Sequence, residues 1–295
     1  MLLESVPNVS EGRDLAVIAA VGQAFASRAY VLDVHSDADH HRSVYTLVAD
    51  EQDLVDALFA GIATAAEVID LREHDGIHPR IGAADVVPIV PLAPAGLDRA
   101  VDVSRELGRR IGEELGLPVF LYGASGGGLR PAHFRREGPA QLQRRLDAGE
   151  LSPDYGPPRL DPRAGGVILG ARNLLIAFNL ELRNGTLEDA QAIAAAVRES
   201  GGGLRGVQAL GLLLPGSRRV QVSLNVIDVE AARLSDVVAR VREVAAGRGV
   251  EVGGGELVGL LPEGAVAEAS LLGLEELPDE FVLERRIDDL LGLGI

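Results

Sequence analysis

The chain has 295 residues with a formal net charge of −16, and all 28 of its basic residues are arginine. Without lysine there is no Schiff-base chemistry, no pyridoxal phosphate attachment and no Walker lysine, and without cysteine there is no thiolate, disulfide or iron–sulfur site. So acidic a protein lacks the basic footprint that nucleic acid or an anionic membrane demands, and any anionic substrate must meet a local arginine cluster.

Apolar residues make up 47% and aromatics only 3%, which predicts an aliphatic core. The N-terminus carries Glu4 and a turn where a signal peptide would be basic and then apolar, and no apolar run reaches the roughly 20 residues of a membrane span. Cytoplasm is the expected compartment.

In chain order, an apolar segment at Leu2–Val6 precedes a helix over 14–27 and strands over 30–34 and 43–49. A helix over 53–71 follows, with Leu54, Leu58, Ile62, Ala65 and Ile69 on one face. The next strand, 85–91, contains Pro88, which predicts an edge or irregular position because proline cannot donate to a ladder. A helix over 97–115, stopped by Gly116, and a strand over 118–122 extend this half.

The second half repeats the order. Strands are expected at 174–182, 207–214, 220–226 and 256–261, with helical stripes Leu187, Ala190, Ile193, Ala194, Val197 and Leu234, Val237, Val238, Val241, Val244. Each half therefore reads β-α-β-β-α-β, the split motif of ferredoxin-like sheets. The expected fold is α+β, with two such subdomains over 1–166 and 167–295. The Gly/Pro-rich stretch 151–170 joins them, as a plain linker or a ligand-covering segment.

Five of the six histidines fall between His35 and His78, beside Asp and Arg in predicted loops. Pro79 pushes His78 away from helical geometry and Gly76 allows a sharp turn before it, so the imidazole sits on a stiff loop where His78 and Arg80 can project together. His74 and His78 have the spacing of a helical zinc pair, but Gly76 and Pro79 break such a helix, and no metal is expected. The GxGxxG match at Gly201, Gly203 and Gly206 follows a helix and precedes a strand, the wrong order for a dinucleotide site.

VPNVSEG at 6–12, the 33–45 segment ending HRSVY, HDGIHPRIGAADVVP at 74–88 and GARNLLIAFNL at 170–180 closely resemble the glutamate formimidoyltransferase family. The resemblance implies two ferredoxin-like subdomains with a ligand cleft between them, tetrahydrofolate as co-substrate, N-formimino-L-glutamate as donor, a role in histidine degradation and a homodimer. It places His78 as the catalytic histidine. Gly156, Pro157, Pro158, Arg159, Leu160, Asp161, Pro162, Arg163, Ala164 and Gly165 then correspond to the folate-binding stretch.

Three departures from the animal members leave the donor's identity open. His35 replaces an Asp near the catalytic histidine, Ile77 replaces a Glu and His41 an Asn. A histidine of ordinary pKa, about 6.5, could take the proton from the attacking nitrogen and pass one to the leaving amine. His35 is a supporting candidate, and Arg42 and Arg80 are candidates for the substrate carboxylates. Two other readings compete, a noncatalytic folate-binding paralogue and a metal-dependent hydrolase built on the His/Asp cluster.

Overall fold

The computed structural model describes residues 1–229, 231–273 and 277–292. The chain divides into two compact units, Met1–Asn173 and Leu174–Ile295.

In the first unit the elements run β1 (Leu2–Ser5), β2 (Asn8–Val9), α1 (Leu15–Phe25), β3 (Tyr30–Asp37), β4 (Arg42–Asp50), α2 (Glu51–Val68), β5 (Ala84–Pro91), α3 (Leu97–Arg110), β6 (Val119–Gly123), α4 (Pro131–Arg135), α5 (Pro139–Asp147) and β7 (Val167–Ala171). Acidic caps start the first two helices: Asp14 accepts from the N–H groups of Ala16 and Val17, and Asp50 from that of Asp53. The strands form one sheet in the order β3, β4, β1 with β2, β5, β7, β6, antiparallel except where β7 lies parallel to β5 and β6.

Alternation decides what each face of this sheet meets. Tyr45, Leu47 and Ala49 of β4 enter the main aliphatic core with Phe25, Leu54, Leu58, Ile62 and Leu107 from the helices. Each Leu, Ile or Phe among them contributes about 1.5–3 kcal/mol on burial. On the other face Val86, Phe120 and Ile168 pack against Phe134, Leu142 and Leu146 of α4 and α5.

The expectation of an edge position for Pro88 is corrected: β5 is buried along its length and central, between β1/β2 and β7. Its partner absorbs the proline. Ser5 pairs with Ile89 and Asn8 with Val86, so the break at Val6–Pro7 between β1 and β2 falls opposite Val87 and Pro88. The Ser5 hydroxyl also donates to the Pro88 carbonyl at 2.6 Å. The helix expected over 97–115 ends as α3 at Arg110 and continues through a π turn, Ile111–Leu115, to Gly116 in the left-handed region.

The second unit comprises β8 (Ile176–Leu182), α6 (Leu187–Val197), β9 (Val207–Leu213), β10 (Val220–Val226), α7 (Leu234–Gly247), β11 (Val252–Val258) and α8 (Leu283–Leu291). Its antiparallel sheet has the order β11, β8, β10, β9. Val220, Val222, Leu224 and Val226 face α6 and α7, as their alternation predicts. The last strand lies earlier than the expected 256–261, because Gly253 to Gly255 continue it through a register shift.

Counting only the repeated elements, both units place the fourth strand beside the first and the third beside the first and second. The internal repeat is thus one of topology as well as of pattern. The Gly201–Gly206 segment is the loop between α6 and β9. No helix among the described residues is long and apolar enough to cross a membrane.

Candidate active site

Residues 74–80 carry no helix and bend at Ile77–His78 on the way into β5. The Gly76 N–H donates to His74 Nδ1 at 3.1 Å, which leaves Nε2–H to donate to the His41 carbonyl at 3.0 Å. Both His74 nitrogens are therefore taken by backbone. The His74 ring stacks on His41 at 4.1 Å, and His41 Nδ1 lies 3.2 Å from the Gly12 N–H and 3.3 Å from Glu11 Oε1. Arg80 turns back and donates to the Gly76 carbonyl, and Arg13 pairs with Asp75 at 2.6 Å.

Glycine is required at position 12, where a Cβ would stand 2.2 Å from the Asp37 carbonyl and 2.5 Å from the Arg42 amide. Ser10 extends the same clamp, its hydroxyl donating to the Gly82 carbonyl at 2.7 Å. Three stretches far apart in sequence, 6–12, 33–45 and 74–88, are thereby fastened into one corner of the first unit.

His78 sits partly buried in that corner, with Arg42 Nη1 at 2.9 Å from Nδ1 and 2.5 Å from Nε2. Burial, then the charges of Arg42, Arg135 and His40, push the imidazole well below its usual pKa, so the ring is neutral at neutral pH. The expectation of an ordinary histidine pKa is corrected on this point. Arg42 is itself lowered to about 9 by burial and by Arg135 and Arg80, and stays charged.

Asp85 is 2% exposed and accepts from the Ile81 N–H at 2.8 Å and from the Arg135 guanidinium. It ties the exit of the His78 loop to α4. The His40 ring lies 6.1 Å from that of His78, and His40 Nδ1 contacts Asp37 at 3.0 Å, a hydrogen bond that holds the Asp37 carboxyl down to about 2. His35 pairs with Val44 and Asp37 with Arg42, and directly opposed residues share a sheet face, so His35 lies on the face that carries Arg42.

The stretch from Gly156 to Gly165 reaches the same corner through backbone. Ala83 N–H donates to the Ala164 carbonyl at 2.8 Å, Gly166 N–H to that of Ile81 at 3.0 Å, and Leu71 N–H to that of Arg163 at 2.9 Å. A depression of about 730 Å³ is lined by Leu71, Arg72 and Ile81, by Pro139, Ala140, Gln143 and Asp147, and by Pro158 to Pro162 with Gly165. That volume suits a molecule of drug size. Gln143 accepts from the Leu160 N–H at 2.9 Å and Arg163 pairs with Asp70 at 3.3 Å, while Gly156 to Arg159 remain exposed. This part of the Gly/Pro-rich stretch is ordered, and its end becomes β7.

Sequence reasoning missed Asp85 and Arg135. They meet across 50 residues of chain, and Arg135 comes from a five-residue helix without periodicity. Among the described residues no group of three or more His, Cys, Asp and Glu side chains is placed to hold a metal ion.

Comparison with known proteins decides the family. The model of the formiminotransferase domain, N-terminal subdomain, matches residues 2–172, and that of the formiminotransferase domain matches residues 177–285. The chain belongs to the formiminotransferase family. It is 39% identical to a glutamate formimidoyltransferase of Thermoplasma acidophilum, over 97% of each chain. It is 37% identical to that of Streptococcus pyogenes serotype M1, over 91% of this chain and 92% of that one. It is also 37% identical to the formimidoyltransferase-cyclodeaminase of Sus scrofa, where 93% of this chain matches 53% of the longer protein.

Proposed function

We propose that the chain is a glutamate formimidoyltransferase that moves the formimino group of N-formimino-L-glutamate onto N5 of tetrahydrofolate, with His78 as the proton-transfer residue. In this reaction the bond from N5 to the amidine carbon forms and the bond from that carbon to the glutamate nitrogen breaks. The proton leaving N5 goes to the His78 imidazole, which then gives it to the departing amine.

One observation carries the reading: the His78 imidazole stands beside Arg42 in a corner whose exit is backbone-bonded to the stretch assigned to folate. A neutral ring can accept the proton once a substrate carboxylate offsets the cations around it, and its low pKa makes the protonated ring a strong acid toward the departing amine. Pro158, Leu160 and Pro162, with Leu71 and Ile81, offer tetrahydrofolate a largely apolar wall, and Ile81 lies three residues beyond His78. Arg42 and Arg135 supply the cations for a donor carboxylate, whereas Arg80 braces the loop at Gly76.

The repeated strand order supports reading both units as ferredoxin-like. By resemblance to the family, the enzyme works in histidine degradation, in the cytoplasm and as a homodimer. The test is turnover of tetrahydrofolate with N-formimino-L-glutamate by the wild type and by His78→Ala. The variant is expected to lose about 10²- to 10⁴-fold in kcat with folate binding largely kept. Near-normal turnover in the variant removes His78 from the mechanism. Wild-type protein that binds tetrahydrofolate without turnover makes it a noncatalytic folate-binding paralogue.

A further inference from the structure

Leu142 and Leu146 seat α5 in the cluster formed with Phe134 and the sheet. That anchorage fixes the adjoining helix face, from which Pro139, Ala140, Gln143 and Asp147 line the depression of about 730 Å³. Another wall is the stretch assigned to folate. Backbone bonds hold this stretch near its two ends: the Tyr155 carbonyl accepts from the Val119 N–H at 2.9 Å, and Asp161 and Gly165 exchange N–H···O bonds at 2.9 and 2.8 Å. In between, Pro157 and Pro158 have no N–H to give, and Gly156 to Arg159 are exposed.

Leu160 is where this run meets α5. Its side chain packs against the same cluster as Leu142 and Leu146, and its N–H donates to Gln143 Oε1 at 2.9 Å. Gln143 Nε2 in turn donates to Asp147 Oδ1, four residues on along the helix, at 2.7 Å. The two bonds fix which way the amide points, because a flipped amide would set donor against donor at Leu160 and acceptor against acceptor at Asp147. A side chain that must accept from an N–H at one atom and donate to a carboxylate at the next is well served by an amide, and an apolar side chain of the same length would leave the Leu160 N–H unmatched.

We infer that Gln143 is a positioning residue for tetrahydrofolate: it holds the folate stretch at a fixed distance from α5, so that the depression is formed before the ligand arrives. The inference rests on the formimidoyltransferase reading and deepens it by making α5 one wall of the folate site. His78 belongs to a different loop, so the bracket acts on folate affinity and leaves the proton transfer alone.

The test is anaerobic calorimetric titration with tetrahydrofolate, with steady-state kinetics beside it. Gln143→Met is expected to weaken binding and raise KM for tetrahydrofolate by about tenfold, because binding must then order the stretch, while kcat and KM for N-formimino-L-glutamate stay within about threefold. Asp147→Asn alone should stay within about threefold of wild type, since its amide oxygen still accepts from Gln143. Combining Gln143→Glu with Asp147→Asn reverses donor and acceptor along the helix and keeps an acceptor for the Leu160 N–H. That double variant should also bind within about threefold of wild type.

Wild-type affinity in Gln143→Met, or a double variant as weak as Gln143→Met, overturns the inference and leaves the enzyme reading intact. One measurement needs no variant: in the free wild-type protein the Leu160 amide should exchange its hydrogen at least about tenfold more slowly than in an unstructured peptide, and an unprotected amide overturns the pre-formed wall. Wild-type protein that binds tetrahydrofolate without turning over the donor counts against the enzyme reading, and the binding series still decides the bracket. Wild-type protein that binds no tetrahydrofolate overturns both.

Discussion

His74→Asn isolates the acid sensitivity of the loop clamp. Burial, with Arg80 and His41 nearby, holds the His74 imidazole down from 6.5 to about 4. The folded protein keeps the ring neutral because Nδ1 must accept from Gly76, while the unfolded chain takes up a proton as soon as the pH drops below 6.5. The stabilising effect is thus fully present above pH 6.5 and is lost as the pH falls from 6.5 to 4. At roughly 1.4 kcal/mol per pH unit, and allowing for solvent at the loop surface, the loss is about 2–3 kcal/mol. Asparagine keeps an acceptor where Nδ1 stood and does not titrate. Urea unfolding of wild type and variant between pH 8 and pH 4.5 should show the variant losing about 2–3 kcal/mol less over that interval. Parallel profiles would mean that the His41–His74 stack does not discriminate against the protonated ring.

Asp85→Ala strands a buried guanidinium and an amide donor, and should cost about 3–5 kcal/mol, whereas Asp102→Ala, whose side chain is 62% exposed, should stay within about 0.5 kcal/mol. Equal urea midpoints for the two variants would deny the Asp85–Arg135 pair its structural role. Gly82→Ala places a methyl group 1.9 Å from the Gly166 carbonyl and should destabilise by at least about 1–3 kcal/mol while weakening tetrahydrofolate binding. Gly264→Ala, where the added carbon meets nothing within 4 Å, is the control, and calorimetric titration with thermal unfolding compares them.

The repeated β-α-β-β-α-β order was legible because aliphatic residues at spacings of two, three and four are fixed by the faces they bury. Val220 to Val226 and the stripe beginning at Leu54 lie where their periods put them. Of the edge and irregular positions that Pro88 predicts, the edge one fails because tolerance of a central position depends on the partner strand, and the irregularity lies in the break at Val6–Pro7 opposite it. The short helices α4 and α5 escaped because five and nine residues carry too little periodicity to stand out from loops. The His78 loop was legible from Gly76 and Pro79, since those residues constrain backbone directly. Its electrostatics were not: the depressed pKa of His78 comes from burial and from arginines 36 and 57 residues away, which only tertiary structure brings together.

The overall charge of −16 sharpens the argument for a local cationic corner. Both proposed substrates are anions, so the field of the whole protein opposes their approach, but at physiological ionic strength that field decays over about 8 Å. Inside that distance Arg42, Arg80, Arg135, His40 and the nearby carboxylates act, and the three guanidinium groups face one deeply buried aspartate, Asp85. An imidazole in such a place is a poor base while the corner is empty of anion, because a proton added to it would join an uncompensated positive cluster. The same cluster attracts the carboxylate that compensates it. The arrangement thus couples the basicity of His78 to the presence of an anion among these cations.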